Sequence, residues 1–155
     1  MSNREMMKIT LKQQKVISDP LRSRIIAMLH EEPMTPKQTA EKLDKNAGTI
    51  YYHIQQLFKH DILEIDHVDT NKGVVEKYYR SKAILFQGPE QEASEEHVTG
   101  SNIHILLSKK LLDEMHQEVQ EIYFKYGRLS IEETEEQNSY TVEFNVKNYI
   151  EEEKG

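Results

Sequence analysis

The sequence predicts an α+β fold in which short helices are followed by a β-hairpin, with a small β-α-β segment at the C-terminal end. Helix-start signals, each a capping residue before Pro, lie at residues 18–20 and 35–36. Apolar residues recur at spacings of three or four within three separate stretches, residues 21–29, 40–43 and 50–57. Two runs rich in β-branched and aromatic residues flank a turn cluster at residues 69–73.

The first helices are defined by their start signals and apolar stripes. Leu21, Ile25 and Met28 share one face of the helix that begins at Pro20. This helix is expected to end at Glu31-Glu32-Pro33, because the residue before Pro is disfavoured in helical geometry. A shorter helix before it is predicted from three further apolar residues, Leu11, Val16 and Ile17.

A tight pair of helices is predicted next. The first begins at Thr35-Pro36 and has the small Ala40 on its inner face. A short turn at residues 44–46 follows, and Asn46 is suited to cap the second helix. The second helix has one apolar face, formed by Ile50, Ile54 and Leu57. This pattern is typical of a helix-turn-helix, whose second helix can enter a major groove about 12 Å wide.

A β-hairpin is predicted directly after the helix pair. Its strands are residues 62–68 and 74–80, and the turn cluster between them contains Gly73. A hairpin in this position is a wing. We expect its tip, with Asn71 and Lys72, to lie along the DNA backbone or in the minor groove.

Candidate DNA-binding residues are the polar and aromatic side chains that face outward in this arrangement. Gln can read adenine edges, Lys can contact phosphate or guanine, and Tyr can donate to phosphate or stack. We expect Gln55 to face outward, and one of Tyr51 and Tyr52 to be half-buried against the helix that begins at Pro20. The predicted set is Lys37, Gln38, Lys45, Asn46, Gly48, Thr49, Tyr51, Tyr52, Gln55, Lys59, Asn71 and Lys72.

Residues 16–83 resemble the winged helix-turn-helix regulators of the ArsR type. Four pieces carry the resemblance, in the order in which that family has them: ISDPLRSRII, TAEKLDKNAGTIYYHIQQL, DILEI and GVVEKYYRSKA. The last is similar to a subgroup with extra C-terminal sequence. The resemblance implies a dimeric DNA-binding repressor, often one that releases DNA when an effector binds. It makes residues 46–60 the recognition helix and gives the DNA-facing role to Gly48, Thr49, Tyr51, Tyr52 and Gln55.

The chain departs from that family at two points. The metal-sensing members use cysteines in the third helix, and this chain has no cysteine, which excludes a thiolate metal sensor. Asp61 stands where the family usually ends the recognition helix with Gly. With Asp at this position the helix end is expected to be less sharp, and the family's wing angle does not carry over to this chain.

Charge is distributed unevenly along the chain. The net charge is −7, but residues 1–82 carry 14 basic and 11 acidic residues, a net of +3, whereas residues 83–155 carry 6 and 16, a net of −10. The first part can therefore approach phosphates while the second stays away from them. No apolar run approaches the roughly 20 residues of a membrane helix, and residues 1–8 lack a signal-peptide pattern. We therefore expect a cytoplasmic protein with no membrane partner.

The predicted organisation is a DNA-binding domain at residues 8–84, a linker at 85–102 and a dimerisation or effector segment at 103–150. In the last of these, residues 103–107 are predicted to form a strand, and a helix capped by Ser108 is expected to run to Tyr126, before Gly127. Alternation from Tyr140 to Val146 predicts a second strand with one buried face. The helix has an apolar seam, formed by Leu112, Met115, Val119, Ile122 and Tyr126.

Two interpretations of this segment stay open. The helix seam packs either on this chain's own sheet or on a second copy of the helix. The aromatic residues Tyr123, Tyr140 and Phe144 either belong to a core or line a ligand pocket.

Taken together, the sequence predicts a sequence-specific DNA-binding transcription regulator that acts as a homodimeric repressor on double-stranded DNA, with its effector left open. The alternatives are a winged-helix protein-interaction module, and a small-molecule sensor whose ligand binds in the C-terminal segment. We expect no enzyme activity and no cofactor, because the sequence has neither a Gly-rich phosphate loop nor a nucleophile elbow. No metal site is predicted, because the histidines lack metal-ligand spacing.

Overall fold

The order of helices and strands is that of an α+β fold, as predicted. The computed structural model describes residues 6–71, 73–89 and 94–148. Its helices are α1 (Leu11–Ile17), α2 (Pro20–Glu31), α3 (Pro36–Leu43), α4 (Ala47–Lys59) and α5 (Lys109–Glu132). Its strands are β1 (Met6–Lys8), β2 (Leu63–Asp69), β3 (Glu76–Ser81), β4 (Leu85–Gln87) and β5 (Ile103–His104). The wing predicted from the turn cluster is the hairpin of β2 and β3.

The starts of α2, α3 and α4 are fixed by the capping residues that the sequence predicts. The Asp19 carboxylate accepts from the backbone N–H of Leu21 at 2.8 Å, and Pro20 takes the first helical position. Thr35 and Gln38 form a reciprocal capping box at the start of α3. The Asn46 side chain caps α4. Each cap satisfies N–H groups that have no partner inside the helix.

Helices α3 and α4 both end sharply, with an Asp in the left-handed conformation. Asp44 has φ 52° and Asp61 has φ 64°. At the end of α4, Asp61 N–H donates to the Phe58 carbonyl and Ile62 N–H donates to the Leu57 carbonyl. These two bonds form a Schellman motif, the usual arrangement around a Gly at this position. The expectation that Asp61 makes the helix end less sharp was therefore wrong.

Replacing Asp61 by Gly is expected to raise the free energy of unfolding by roughly 0.5–1 kcal/mol, measured by urea denaturation. A left-handed conformation destabilises the folded state by about 1–2 kcal/mol when the residue has a Cβ. Gly avoids this strain but loses more chain entropy on folding, which offsets part of the gain. Asp61→Ala is the control, because it also removes the charge but keeps the Cβ. An equal gain in both variants would show that charge, and not backbone strain, sets the stability at this site.

The core of the first part of the chain lies between the helices and the base of the wing. Ile50, Ile54 and Leu57 of α4 have no exposed surface, which confirms the predicted apolar face. They share the core with buried side chains from the other elements, among them Ile17, Ile25, Leu29, Ile62, Leu63, Tyr79 and Phe86. Burying one such side chain stabilises the fold by about 1.5–3 kcal/mol.

The wing joins this core through β3. Strands β2 and β3 are antiparallel, and their register shifts between Ile65 and His67, which places Asp66 in a bulge. Tyr79 of β3 exchanges two backbone hydrogen bonds with Met34, of 2.9 and 3.1 Å. The segment before α3 is thereby fixed to the base of the wing.

A second small sheet, not predicted from the sequence, has the strand order β1-β4-β5. Strand β1 is parallel to β4, and β4 is antiparallel to β5. Strand β4 lies inside the segment predicted to be a linker at residues 85–102. The chain divides into two compact units, Met1–Leu106 and Leu107–Gly155, whereas the domain bounds inferred from the sequence stay a prediction.

The predicted C-terminal β-α-β segment is wrong in its second strand. Residues 133–148, which include the alternating run from Tyr140 to Val146, contain no strand. Only Ile103–His104 of the predicted first strand are extended and paired. Helix α5 does not end before Gly127 but continues to Glu132, because a Gly inside a helix costs only about 1 kcal/mol. Among the described residues, no helix is long and apolar enough to span a membrane.

Candidate nucleic-acid interface

One face of α4 is left open by the packing of the first unit. Ile50, Ile54 and Leu57 point into the core, so the residues about half a turn away point outward. The outward face begins at Gly48, passes through Tyr52 and ends at Lys59, all of them exposed. The exposed aromatic and basic groups in one row are of the kinds that can contact bases and phosphates.

Both tyrosines of α4 are exposed. Tyr51 has 55% of its surface exposed and Tyr52 has 56%. The expectation that one of them is half-buried was therefore wrong. The reason is their position on the helix, because the buried face is narrow and is filled by three aliphatic side chains. Two phenol groups are left available to donate to phosphates or to stack.

The sequence predicts that Gln55 is free on the outward face. In the structure it is instead half-buried beside the wing. Its side-chain amide donates to the Tyr79 hydroxyl at 3.2 Å. The Tyr79 ring also contacts Phe58 edge-on, with ring centroids 5.6 Å apart. Gln55 thus connects α4 with β3, and its expected role in reading bases stays a prediction.

Backbone N–H groups in the first turn of α4 are hydrogen-bonded to the capping residue of that helix. The Asn46 side-chain oxygen accepts from the backbone N–H of Gly48 at 2.8 Å and of Thr49 at 3.2 Å. A Cβ on Gly48 would lie 3.1 Å from that oxygen, so Gly leaves room for the cap. Asn46, Gly48 and Thr49 are exposed.

The predicted residues of α3 and the following turn lie on the surface. Lys37 and Lys45 are exposed, the first in the first turn of α3 and the second just after its end. Gln38 is exposed too, but its side-chain oxygen accepts from the Thr35 N–H at 3.1 Å in the capping box. The two lysines are therefore the members of this group that are suited to contact phosphate.

The wing has a polar tip and a paired stem. Asn71 is exposed in the tip, where its N–H donates to the Asp69 carboxylate at 2.9 Å, while Lys72 lies outside the described residues. On the stem, Arg80 contacts the carboxylate of Glu64 at 2.6 Å and that of Asp66 at 3.6 Å. These carboxylates offset the Arg80 charge, so positive charge on the described part of the wing is limited.

A contact that sequence reasoning missed joins α4 to α2. Arg22 is half-buried, and its Nε donates to His53 Nδ1 at 2.9 Å. One of its terminal nitrogens donates to the Val16 carbonyl at 3.0 Å. No local pattern reveals this contact, because the two side chains are 31 residues apart.

Three histidines of the first unit have a pKa below the ordinary value for histidine. Burial lowers the pKa of His53 first, and the nearby Arg22 lowers it further. Burial and the neighbouring Lys12, Lys59 and Arg22 lower the pKa of His60. Burial also lowers the pKa of His104. The folded state thus favours the neutral form of each ring.

The free energy of unfolding is expected to fall as the pH is lowered from 7.5 to 5.5. In this window the unfolded chain takes up protons on these histidines before the folded chain does, so stability is lost below about pH 6.5 and regained as the pH rises. Urea denaturation at several pH values measures the slope. His53→Gln, which has a side-chain oxygen for Arg22 but does not titrate, should make the slope shallower. An unchanged slope in that variant would contradict the lowered pKa of His53.

The ligand pocket considered for the C-terminal segment does not form as predicted. Its second strand is absent, and Tyr140 is exposed. Phe144 instead stacks on His116 of α5, with ring centroids 5.7 Å apart. Over residues 6–71, 73–89 and 94–148, no group of three or more His, Cys, Asp or Glu is placed to hold a metal ion.

Comparison with known protein families agrees with this geometry. Residues 17–66 match the family model of the helix-turn-helix domain. The match covers about a third of the chain. The match runs from the end of α1 into β2, so it contains the whole tight pair α3 and α4. With the hairpin β2–β3 behind it, this part of the chain has the architecture of a winged helix-turn-helix.

Among solved structures, this winged helix-turn-helix chain is similar to a domain from Mycobacterium bovis. That structure, determined by solution NMR, is a homodimeric winged helix-turn-helix DNA-binding domain of a possible ArsR-family transcriptional regulator. The identity is 19% and the TM-score 0.41, over 46% of this chain and 62%, less than two thirds, of that one. No curated protein matches the sequence.

Proposed function

We propose that this protein is a sequence-specific DNA-binding transcription regulator that acts in the cytoplasm as a homodimeric repressor. The observation that carries the proposal is the exposed face of α4 beside a wing. Tyr51, Tyr52 and Lys59 project from a helix whose opposite face is fully buried. This is the arrangement in which a helix-turn-helix presents side chains to the major groove.

Charge supports the same orientation. The first 82 residues carry a net charge of +3, against −10 for the remainder. Lys37, Lys45 and Lys59 are exposed on α3, on the turn and on α4, where phosphates would flank a bound helix. The surface that presents α4 is thus the one that can approach DNA.

Helix α5 supports the homodimer. None of its 24 residues is buried. Several apolar side chains nevertheless share one face at spacings of four, seven, four and three residues: Leu111, Met115, Ile122, Tyr126 and Leu129. A second copy of α5 is the partner that such a seam fits, because spacings of three and four are those of paired helices. A dimer would place two recognition helices about 34 Å apart, on an imperfectly palindromic operator.

Sedimentation velocity tests the dimer. The unmodified chain should sediment as a dimer, and Ile122→Glu should shift it to a monomer by placing a charge in the seam. Phe124→Glu is the matched control, since Phe124 is 71% exposed and lies on the other side of α5. A monomeric wild type, or equal effects of both variants, would argue against α5 as the dimer interface.

Fluorescence anisotropy tests the DNA binding. A labelled duplex from the region upstream of the gene is titrated with the protein at several salt concentrations, beside a random duplex of equal length. We expect preferential binding to the upstream duplex and an affinity that falls by about 10³-fold between 50 and 200 mM salt if about six phosphates are contacted. If neither duplex is bound at low salt, the proposal is wrong. A protein-interaction module would then be favoured.

A further inference from the structure

Arg22 joins three helices directly behind the outward face of α4. It stands in the first turn of α2, donates to the Val16 carbonyl at the end of α1 and donates to His53 of α4. Its guanidinium carbon is 6.0 Å from the centroid of the Tyr52 ring. One side chain therefore joins α1, α2 and α4 and also lies beside the exposed ring of Tyr52.

His53 adds a second group beside the same tyrosine. Its ring lies edge-on to the Tyr52 ring, with centroids 5.6 Å apart and an interplanar angle of 60°. His53 Nδ1 is the acceptor for Arg22, so this nitrogen carries no proton and the ring proton is on Nε2. The Tyr52 ring thus has a cation and an aromatic edge beside it, while more than half of its surface stays exposed.

We propose that Arg22 and His53 are positioning residues, which hold the Tyr52 ring in the orientation that reads DNA. This inference rests on the proposed function. Arg22 acts through Tyr52 and not by binding phosphate itself, because it is half-buried and donates both to His53 and to the Val16 carbonyl. A surface Lys such as Lys59 has no such commitments and moves freely to a phosphate.

A double-mutant cycle on DNA affinity tests the coupling. Arg22→Met keeps the length of the side chain but removes its donors. In the unmodified background it should weaken binding to the preferred duplex by at least about fivefold, since contacting residues are strongly coupled. In the Tyr52→Ala background, where no ring remains to be positioned, the same change should weaken binding less than about twofold. Unfolding curves of all four proteins give their folded fraction at the assay temperature.

Two further variants separate positioning from charge. Arg22→Lys keeps the charge but cannot reproduce the two donors of the guanidinium, so its binding should resemble that of Arg22→Met. His53→Gln offers an acceptor to Arg22 but no ring, and it should lose less affinity than His53→Phe, which keeps a ring but offers Arg22 no acceptor. If Arg22→Lys binds the preferred duplex as tightly as the unmodified protein, the inference is overturned and Arg22 is a simple phosphate contact.

A measurement without DNA examines the same contact. Nitrogen-15 shifts of the His53 ring should show Nδ1 without a proton and Nε2 with one, and the Tyr52 ring resonances should shift in Arg22→Met. Equal losses of affinity from Arg22→Met in both backgrounds would overturn the inference while leaving the proposed function intact. Failure of the unmodified protein to bind any duplex would overturn both.

Discussion

Tyr79→Ala is expected to lower the free energy of unfolding by about 3–5 kcal/mol, the range for removing a buried aromatic ring. Tyr79 is only 4% exposed and belongs to the core. Its ring packs edge-on against Phe58 of α4, and its backbone is paired with Met34 before α3. The change would therefore loosen the wing from α4, while the backbone pairing with Met34 is kept. Urea denaturation followed by circular dichroism measures the loss.

Tyr79→Phe is the matched control. It keeps the ring and the packing against Phe58 but removes the hydroxyl that accepts from Gln55. A loss of about 1 kcal/mol is expected, because only one hydrogen bond is removed. Equal losses in the two variants would mean that the hydrogen bond, and not the packed ring, joins the wing to α4.

The helix-turn-helix was predictable because its signals are local. Asp19, Thr35 and Asn46 cap the helices that follow them within three residues. The buried positions of α4 come at the spacing of a single helical face, which any window of that length shows. Caps and stripes depend only on near neighbours in sequence, so the starts of α2, α3 and α4 and the buried face of α4 could be read without the structure.

The small sheet was not predictable for the opposite reason. Strand β1 pairs Met6 with Leu85, residues far apart in the chain. Strands of two or three residues are also too short for an alternating pattern to stand out. The same limit applies to the candidate interface, because the contacts of Gln55 with Tyr79 and of Arg22 with His53 arise only when distant elements pack together.

The missing C-terminal strand shows what alternation alone establishes. Residues 140–146 alternate between apolar and polar side chains, which describes the two faces a strand would have. A strand also needs a neighbour to take its backbone hydrogen bonds, and the pattern contains no information on that neighbour. Tyr140 and Val142 are exposed in the described structure, so the apolar face that the pattern predicts is not covered by this chain's described residues.

The double change Lys45→Glu/Lys59→Glu is expected to weaken binding to the preferred duplex by about 100-fold at moderate salt and to lower the slope of log affinity against log salt by about two. Both lysines are exposed, one after α3 and the other at the end of α4. Each lost phosphate contact removes about 0.9 from the slope, and each new carboxylate adds repulsion. Salt-dependent anisotropy titrations measure both quantities.

Lys109→Glu/Lys110→Glu is the matched control, because it changes the net charge by the same amount in the first turn of α5. The proposed interface does not include α5, and charges outside an interface are largely screened at 0.1 M salt, so this pair is expected to weaken binding less than about threefold. Similar losses of affinity in the two double variants would mean that DNA binding depends on the total charge of the protein alone. The exposed face of α4 would then have no special place in the interface. A loss confined to the first pair would locate the interface on the helix-turn-helix, because the two proteins differ only in where the charges stand.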